Sequence, residues 1–250
     1  MQQEIVIVKP IISVVVPVYN EERSLPACLD SLRGQKCSFP FEIIVVDNAS
    51  TDHSADIARQ AGVRLVSEPR KGVGLARRAG FAAAQANIVA STDADCIVPV
   101  DWLARIQQAF LEQPSLIAIG GYALYHDAPP YLHFLARISN RLDLIHLVGK
   151  VARWQPLSTQ NLAVRKGAYE QAGGFDPTIT SPLGLDDVDL TLRLSAIGPI
   201  HVVPDLIVLA SARRFHQEPV KTIGYRCANY ASYALQKRGV FRQKTADIRL

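Results

Sequence analysis

Cysteine, methionine and tryptophan are scarce here: four, one and two in 250 residues. The cysteines Cys28, Cys37, Cys96 and Cys227 form no C-x-x-C pair, which argues against a structural zinc site. Their scatter suits free thiols in a reducing compartment. An excess of one charge is also missing, because the net charge of +4 is too small to argue for nucleic acid. It is compatible with anionic ligands or an anionic membrane surface. No stretch reads as a clean membrane span. The most apolar candidate, 197–212, is broken by Pro199, His201, Pro204 and Asp205. The N-terminus carries Glu4 and Lys9 and lacks a signal-peptide layout. Internal repeats and low-complexity linkers are absent. The first apolar strand is not followed by G-x-G-x-x-G, and Lys71-Gly72-Val73-Gly74 comes too late to serve, which weighs against a Rossmann dehydrogenase. These absences leave a cytoplasmic protein, with peripheral contact at the inner face of a membrane as an option.

What is present has the apolar and charged fractions of a soluble globular chain, 48% and 20%. Its length suffices for one sizeable α/β core. Residues 11–18 are β-branched and almost wholly apolar, the composition of a strand buried on both faces of a parallel sheet. A helical stripe follows at Leu25, Cys28, Leu29 and Leu32, with Pro26 in its first turn. Residues 41–46 read as a second buried strand, 63–66 as a third and 88–91 as a fourth. Helices are expected between them, the last running over about 75–85 after the glycine loop. This alternation predicts an α/β fold with a mainly parallel central sheet flanked by helices. Ligands of such sheets gather at the carboxyl ends of the strands. Tyr19 to Glu21, Asp47 and the pair Asp93 and Asp95 all fall there.

The Asp pair organises the chain. The apolar run Ile88, Val89, Ala90 leads into Asp93-Ala94-Asp95. On an extended segment alternate side chains share a face, so both carboxylates are expected to point the same way. Two hard oxygen ligands can hold Mg2+ or Mn2+ and leave positions for phosphate oxygens.

The second half is less regular. Residues 101–112 read as a helix and 116–122 as a strand. Residues 131–153 read as one long amphipathic helix, suited to packing, to peripheral membrane contact or to a homodimer. Residues 157–164 read as a strand with a polar start. Asp186, Asp187 and Asp189 open a helix, where acidic residues suit the dipole. Two strands, 200–203 and 206–210, precede Arg213 and Arg214, and 213–250 reads as a basic helical tail.

Several motifs, each weak alone, occur in an order that resembles the family 2 glycosyltransferases with the GT-A fold. They are Val16-Pro17-Val18-Tyr19-Asn20-Glu21, Val45-Val46-Asp47-Asn48-Ala49-Ser50-Thr51-Asp52, Lys71-Gly72 with Ala76-Arg77, Asp93-Ala94-Asp95, Asn161-Leu162-Ala163-Val164-Arg165, Gly173-Gly174-Phe175-Asp176 and Asp186-Asp187-Val188-Asp189-Leu190. The resemblance covers roughly 11–211. It implies a single GT-A domain over 1–250, with 11–98 as the nucleotide-sugar-binding half and 99–212 as the acceptor and catalytic half. It implies a nucleotide-diphosphate sugar donor, usually a UDP- or GDP-sugar, and a carbohydrate or lipid-linked acceptor, as in polysaccharide or glycolipid biosynthesis. Pro17, Val18, Tyr19, Asn20 and Glu21 match the loop around the nucleotide. Asp47 matches the carboxylate that hydrogen-bonds the base, with Asn48 beside it. Lys71 and Arg77 match positions near the nucleotide or its phosphates. Asp95, flanked by Ala94, matches the ligand of an Mn2+ or Mg2+ ion, with Asp93 near the ribose or the metal. Asp187 matches the general base of inverting members, and Asp186 stands where many of them have Glu.

One departure concerns the metal. Many members carry a His on the strand after that helix, and here Ala210 or Ser211 occupies the place. Arg213 and Arg214 follow at once, and a guanidinium can clamp a diphosphate bidentately. Two other readings stay open at this point. One is a nucleotidyltransferase, although Tyr19-Asn20-Glu21-Glu22 lacks the glycine- and Arg/Lys-containing signature such enzymes usually carry. The other is a non-catalytic nucleotide-sugar-binding subunit, against which Asp187 argues.

Overall fold

The computed structural model describes residues 9–128, 157–179 and 185–213. Arg214, the helix expected over 131–153 and the tail expected over 213–250, apart from Arg213 itself, lie outside the described residues.

The first half alternates strand and helix as its composition predicts: β1 (Ile12–Val18), α1 (Leu25–Arg33), β2 (Phe41–Asp47), α2 (Ser54–Gln60), β3 (Arg64–Ser67), α3 (Val73–Ala83) and β4 (Ile88–Ser91). Then come β5 (Cys96–Ile97), α4 (Trp102–Glu112), β6 (Ala118–Tyr125), a short 3-10 turn at Thr159–Asn161, β7 (Leu162–Arg165), α5 (Lys166–Gln171), α6 (Leu185–Ser195) and β8 (Ile200–Ala210). The eight strands among the described residues form one sheet in the order β3-β2-β1-β4-β7-β6-β8-β5. The strands β3, β2, β1 and β4 are parallel. β7 is antiparallel to both β4 and β6, and β6 pairs parallel with β8. The fold is α/β of the GT-A type, with three of its parallel pairings gathered among β1 to β4.

β1 is buried along its whole length because helices cover both faces. Ile12, Val14, Val16 and Val18 pack toward α1 and α4, against Leu25, Leu29, Leu32, Trp102, Leu103 and Ile106. Val15, with Ile44, Val46 and Val89, lies on the other face and packs with Leu162 and Val164 of β7 against α3 and α6. Each of these aliphatic side chains gains about 1.5–3 kcal/mol of transfer free energy on burial. α3 lies very close to the sheet. A Cβ on Gly80 would stand 2.3 Å from a Val15 methyl and 2.8 Å from one of Val46.

The two strands expected at 200–203 and 206–210 are one strand in the structure. β8 keeps its pairing with β6 across an irregularity, with Gly120 opposite Val202 and Tyr122 opposite Ile207. Pro204, which has no N–H for a ladder, and Asp205 sit in that bulge, where a strand tolerates proline. Gly121 lies across from it, and a Cβ there would collide with the Leu206 carbonyl oxygen. The polar start expected of the strand at 157–164 is the 3-10 turn, and its Asn161 is fully buried. The Asn161 side chain accepts from Trp102 Nε1 and donates to the carbonyls of Tyr122 and Leu206, bracing the bulge from within.

Candidate active site

Because β1, β2 and β4 run parallel, their carboxyl ends open on one edge of the sheet. Two loops there are stitched into one wall. Asn20 N donates to Ser50 Oγ at 3.1 Å, and Thr51 N donates to Asn20 Oδ1 at 2.8 Å. Glu21 N donates to Ser54 Oγ and Glu22 N to an Asp52 carboxylate oxygen. Asn20 and Ala49 hold left-handed backbone, φ 55° and 60°, which Asn accepts more readily than Ala.

Asp47 ends β2 in register with Val18 and Ser67, half-buried at the base of this wall, and accepts from Ser50 N. Pro17 and Val18 have buried side chains, so what they offer the edge is backbone; Val18 O accepts from Asn48 N. Asn48 is committed inside the protein. Its amide nitrogen donates to the carbonyls of Glu68 and Arg70, and its oxygen accepts from Gly72 N at 2.8 Å. It thereby sets the loop that carries Lys71. Lys71 Nζ donates to Tyr19 Oη at 2.8 Å and lies over the Tyr19 ring, 4.8 Å from its centroid. Both side chains are exposed, so a cation and an aromatic face border the edge together.

The segment after β4 departs from expectation. Asp93 to Asp95 is not extended but a tight turn, with Cys96 N donating to Asp93 O at 3.0 Å. Period-two alternation does not apply, and the two carboxylates take different surroundings. Ala94 is 2% exposed and belongs to the core. Asp93 pairs with Arg77, Nη2 to Oδ1 at 2.8 Å. Asp95 is partly buried, and its backbone carbonyl accepts from Ser211 N at 3.1 Å. The place where many members of the resembling family carry a His, Ala210 or Ser211 here, therefore lies beside the Asp95 turn. The Ser211 hydroxyl donates to Asp127 Oδ2 at 2.7 Å, and Ala212 N donates to the other Asp127 oxygen. Burial works against the Asp127 charge, but these two donors more than offset it and hold the carboxyl below its ordinary value. Sequence reasoning missed Asp127; a single Asp after a strand carries no signal of a partner 84 residues away. Arg213 pairs with Glu21, Nη2 to Oε1 at 2.5 Å. That hydrogen bond, ahead of the opposing effect of burial, holds the guanidinium above its ordinary value, helped by the Glu21 and Asp95 charges. His201 is exposed on β8, opposite Ile119.

The second carboxylate pair opens α6. Asp186 is buried and accepts from Arg77 Nη1 at 2.9 Å. Asp187 is only partly buried in surface terms, and Val188 N donates to its Oδ1. Burial first, then the Asp186 charge, raises the Asp187 carboxyl to about 7; Arg77 pulls the other way and does not cancel them. Arg77 itself loses by burial and gains more from Asp93 and Asp186, so it stays charged. Phe175 is wholly buried against Phe81 and Tyr169, and Asp176 accepts from Thr178.

A divalent cation fits the residues present in a limited way. Among the described residues no group of three or more His, Cys, Asp or Glu is arranged to hold a metal. Mg2+ and Mn2+ brought by a phosphate need only one or two carboxylates, and Asp95, at the open edge, supplies one. Asp93 is occupied by Arg77. The nearby thiols of Cys28 and Cys96 are pushed up, by burial first and then by the Asp charges, so they stay protonated and do not compete.

Comparison with known proteins bears on the family and the fold. Glycosyltransferase AglE of Haloferax volcanii is 27% identical over 216 residues, which is 82% of this chain and 68% of that protein. The chain spans well under half the length of several further glycosyltransferases that it matches. Among solved structures, a mannosyltransferase from Pyrobaculum calidifontis in complex with GDP-Man and Mn2+ superposes with a TM-score of 0.67 at 24% identity, over 91% of this chain and 65% of that one. The glucosyl-3-phosphoglycerate synthase of Mycobacterium tuberculosis, in complex with Mn2+ and uridine-diphosphate-glucose, gives 0.63 at 22%, over 92% and 80%. At these identities the two structures speak for the fold. The family model described as glycosyl transferase family 2 matches residues 13–157, more than half of the chain, and the strands that present Asp47 and Asp95 lie inside that match: the chain belongs to glycosyl transferase family 2.

Proposed function

We propose that this chain is an inverting glycosyltransferase that moves a sugar from a nucleoside-diphosphate sugar, a UDP- or GDP-sugar, to the hydroxyl of a carbohydrate or lipid-linked acceptor. The observation that carries the reading is the contrast at the start of α6. Asp186 is matched by Arg77, whereas its neighbour Asp187 has its carboxyl raised to about 7. A general base works best when its pKa lies near the working pH. Asp187 takes the proton of the acceptor hydroxyl as that oxygen attacks the anomeric carbon. The new C–O bond forms while the bond to the diphosphate breaks on the opposite face, so the configuration inverts. The bonding pair leaves with the nucleoside diphosphate.

On the donor side Asp47 accepts from a base N–H, and Tyr19 and Lys71 border the nucleotide. Asn20 and Glu21 hold the wall, and Asn48 holds the Lys71 loop. Asp95 would hold a divalent cation, which when bound would supply charge neutralisation of the departing diphosphate. Arg213, tethered by Glu21 near Asp95, offers the same charge from the chain itself. The likeness to proteins solved with GDP-Man or uridine-diphosphate-glucose supports the donor class.

The test is a thermal-shift and calorimetry screen of UDP, GDP, UDP-glucose and GDP-mannose, with and without Mn2+. A ligand at a hundred times its dissociation constant stabilises by about 2.7 kcal/mol. Release of nucleoside diphosphate from a stabilising donor is then followed with time. No stabilisation by any of the four would refute the donor class as stated. Binding without slow donor hydrolysis, with or without sugar acceptors, would favour a binding subunit.

A further inference from the structure

Arg77 is the residue whose surroundings fit its sequence-level role least well. The family resemblance places it near the nucleotide or its phosphates. In the structure it is buried and has no free face toward the open edge. Its two terminal nitrogens go to two carboxylates from distant parts of the chain, Asp93 on the turn after β4 and Asp186 in the first turn of α6. Nε is buried without a partner among the described residues, so the guanidinium is held by these two contacts. One turn earlier on α3, Gly74 lies beside the same carboxylate, at a distance that leaves room for an ordinary contact. A Cβ there would meet Asp186 Oδ2 at 3.6 Å and Cβ at 3.7 Å.

We propose that Arg77 is a positioning residue that ties the donor side of the site to its base side: one guanidinium holds Asp93 and Asp186 at once, so the turn presenting Asp95 and the helix start presenting Asp187 move as a unit. The inference rests on the reading of Asp95 and Asp187 given above. A planar fork with fixed donors transmits a shift of one carboxylate to the other, which a single ammonium does not. Binding of a nucleoside diphosphate at the Asp95 turn is then felt at α6. Asp93 and Asp186 serve the site through Arg77, each holding in place a neighbouring carboxylate, Asp95 or Asp187.

Two measurements test this. The first is a double-mutant cycle on thermal stability with Asp93→Asn, Asp186→Asn and the double variant. Sharing one guanidinium predicts losses that do not add; simple additivity would overturn the strut. The second is hydrogen exchange followed by mass spectrometry over 186–195, with UDP or GDP and Mn2+ as probes. The unmodified chain is expected to exchange several-fold more slowly there when nucleotide is bound. Arg77→Lys is expected to keep nucleotide affinity within about tenfold and to lose that slowing. If Arg77→Lys does not fold, Asp93→Asn takes its place in the exchange experiment. Nucleotide binding with no change at α6 in the unmodified chain overturns the proposal and leaves the donor reading standing. If neither nucleotide binds, the donor reading is what fails, and the stability cycle alone decides the strut. A nucleotide affinity in Arg77→Lys that falls a hundredfold or more, with α6 unaffected, returns Arg77 to a direct phosphate contact and refutes the strut.

Discussion

Asp187→Asn is the variant that tests the chemistry most sharply, because one shifted pKa makes claims on both rate and stability. With its carboxyl raised to about 7, Asp187 is ionised in about a tenth of molecules at pH 6 and about nine tenths at pH 8. Turnover by the unmodified chain should therefore climb roughly tenfold across that interval and then level off. The Asn variant has no such limb, and its turnover should be lower by about 10² to 10⁴. The stability effect has the opposite sign. A carboxyl raised on folding leaves the native state unpenalised below its unfolded value, 3.8. Stability is lost as pH rises from there through about 7. About three pK units correspond to at most about 4 kcal/mol, and solvent at the partly open carboxylate reduces this to about 1–3 kcal/mol. Asp187→Asn should thus be more stable than the parent at pH 8 by that amount, with the margin shrinking toward pH 5. Donor hydrolysis or transfer across pH gives the rate profile, and urea denaturation at both pH values gives the stability. A flat pH–rate profile together with an Asn variant that is no more stable at pH 8 would refute both the burial and the base assignment.

Asp95→Ala should remove the Mn2+-dependent part of UDP or GDP binding in calorimetry. Asp93→Ala should keep that dependence and instead cost about 3 kcal/mol of stability, by breaking a buried pair; the reverse ranking would place the cation on Asp93. Arg213→Lys keeps the charge but loses the fork, so donor hydrolysis should fall about tenfold with little change in fold stability; wild-type rates across an Mn2+ titration would make Arg213 a purely structural partner of Glu21. Gly80→Ala should cost about 1–3 kcal/mol by forcing α3 away from Val15 and Val46, and Val15→Ala in the same chain should recover part of the loss. A neutral Gly80→Ala would show that this contact yields easily.

The parallel half of the fold was legible because a strand buried on both faces is written in composition. β1 and β2 begin or end within a residue of the β-branched runs that announce them. Strand order was less legible, since β7 enters the sheet antiparallel between β4 and β6 and no local pattern marks that. Pro204 suggested a break between two strands, and only the partner β6 shows it as a bulge within one. The site motifs were found in order, but their side chains divided the work in ways that depend on distant contacts. Asn48 and Ala94 face inward, Asp93 and Asp186 meet on Arg77, and Asp127 enters through Ser211. Each of these rests on neighbours more than fifteen residues away, and spacing along the chain does not encode such a meeting.

β5 has two residues and, among the described residues, a single ladder neighbour, β8, which pairs Cys96 with Ala210 and brings Ser211 N to the Asp95 carbonyl. The turn that presents Asp95 is therefore completed by chain more than a hundred residues downstream. During synthesis the strands β1 to β4 can pair while that downstream segment is still inside the ribosome, and closing the long loop is the slow, entropically costly step. Competence to bind a diphosphate should then appear as a late event in refolding, after the parallel sheet has formed and in step with the docking of β8.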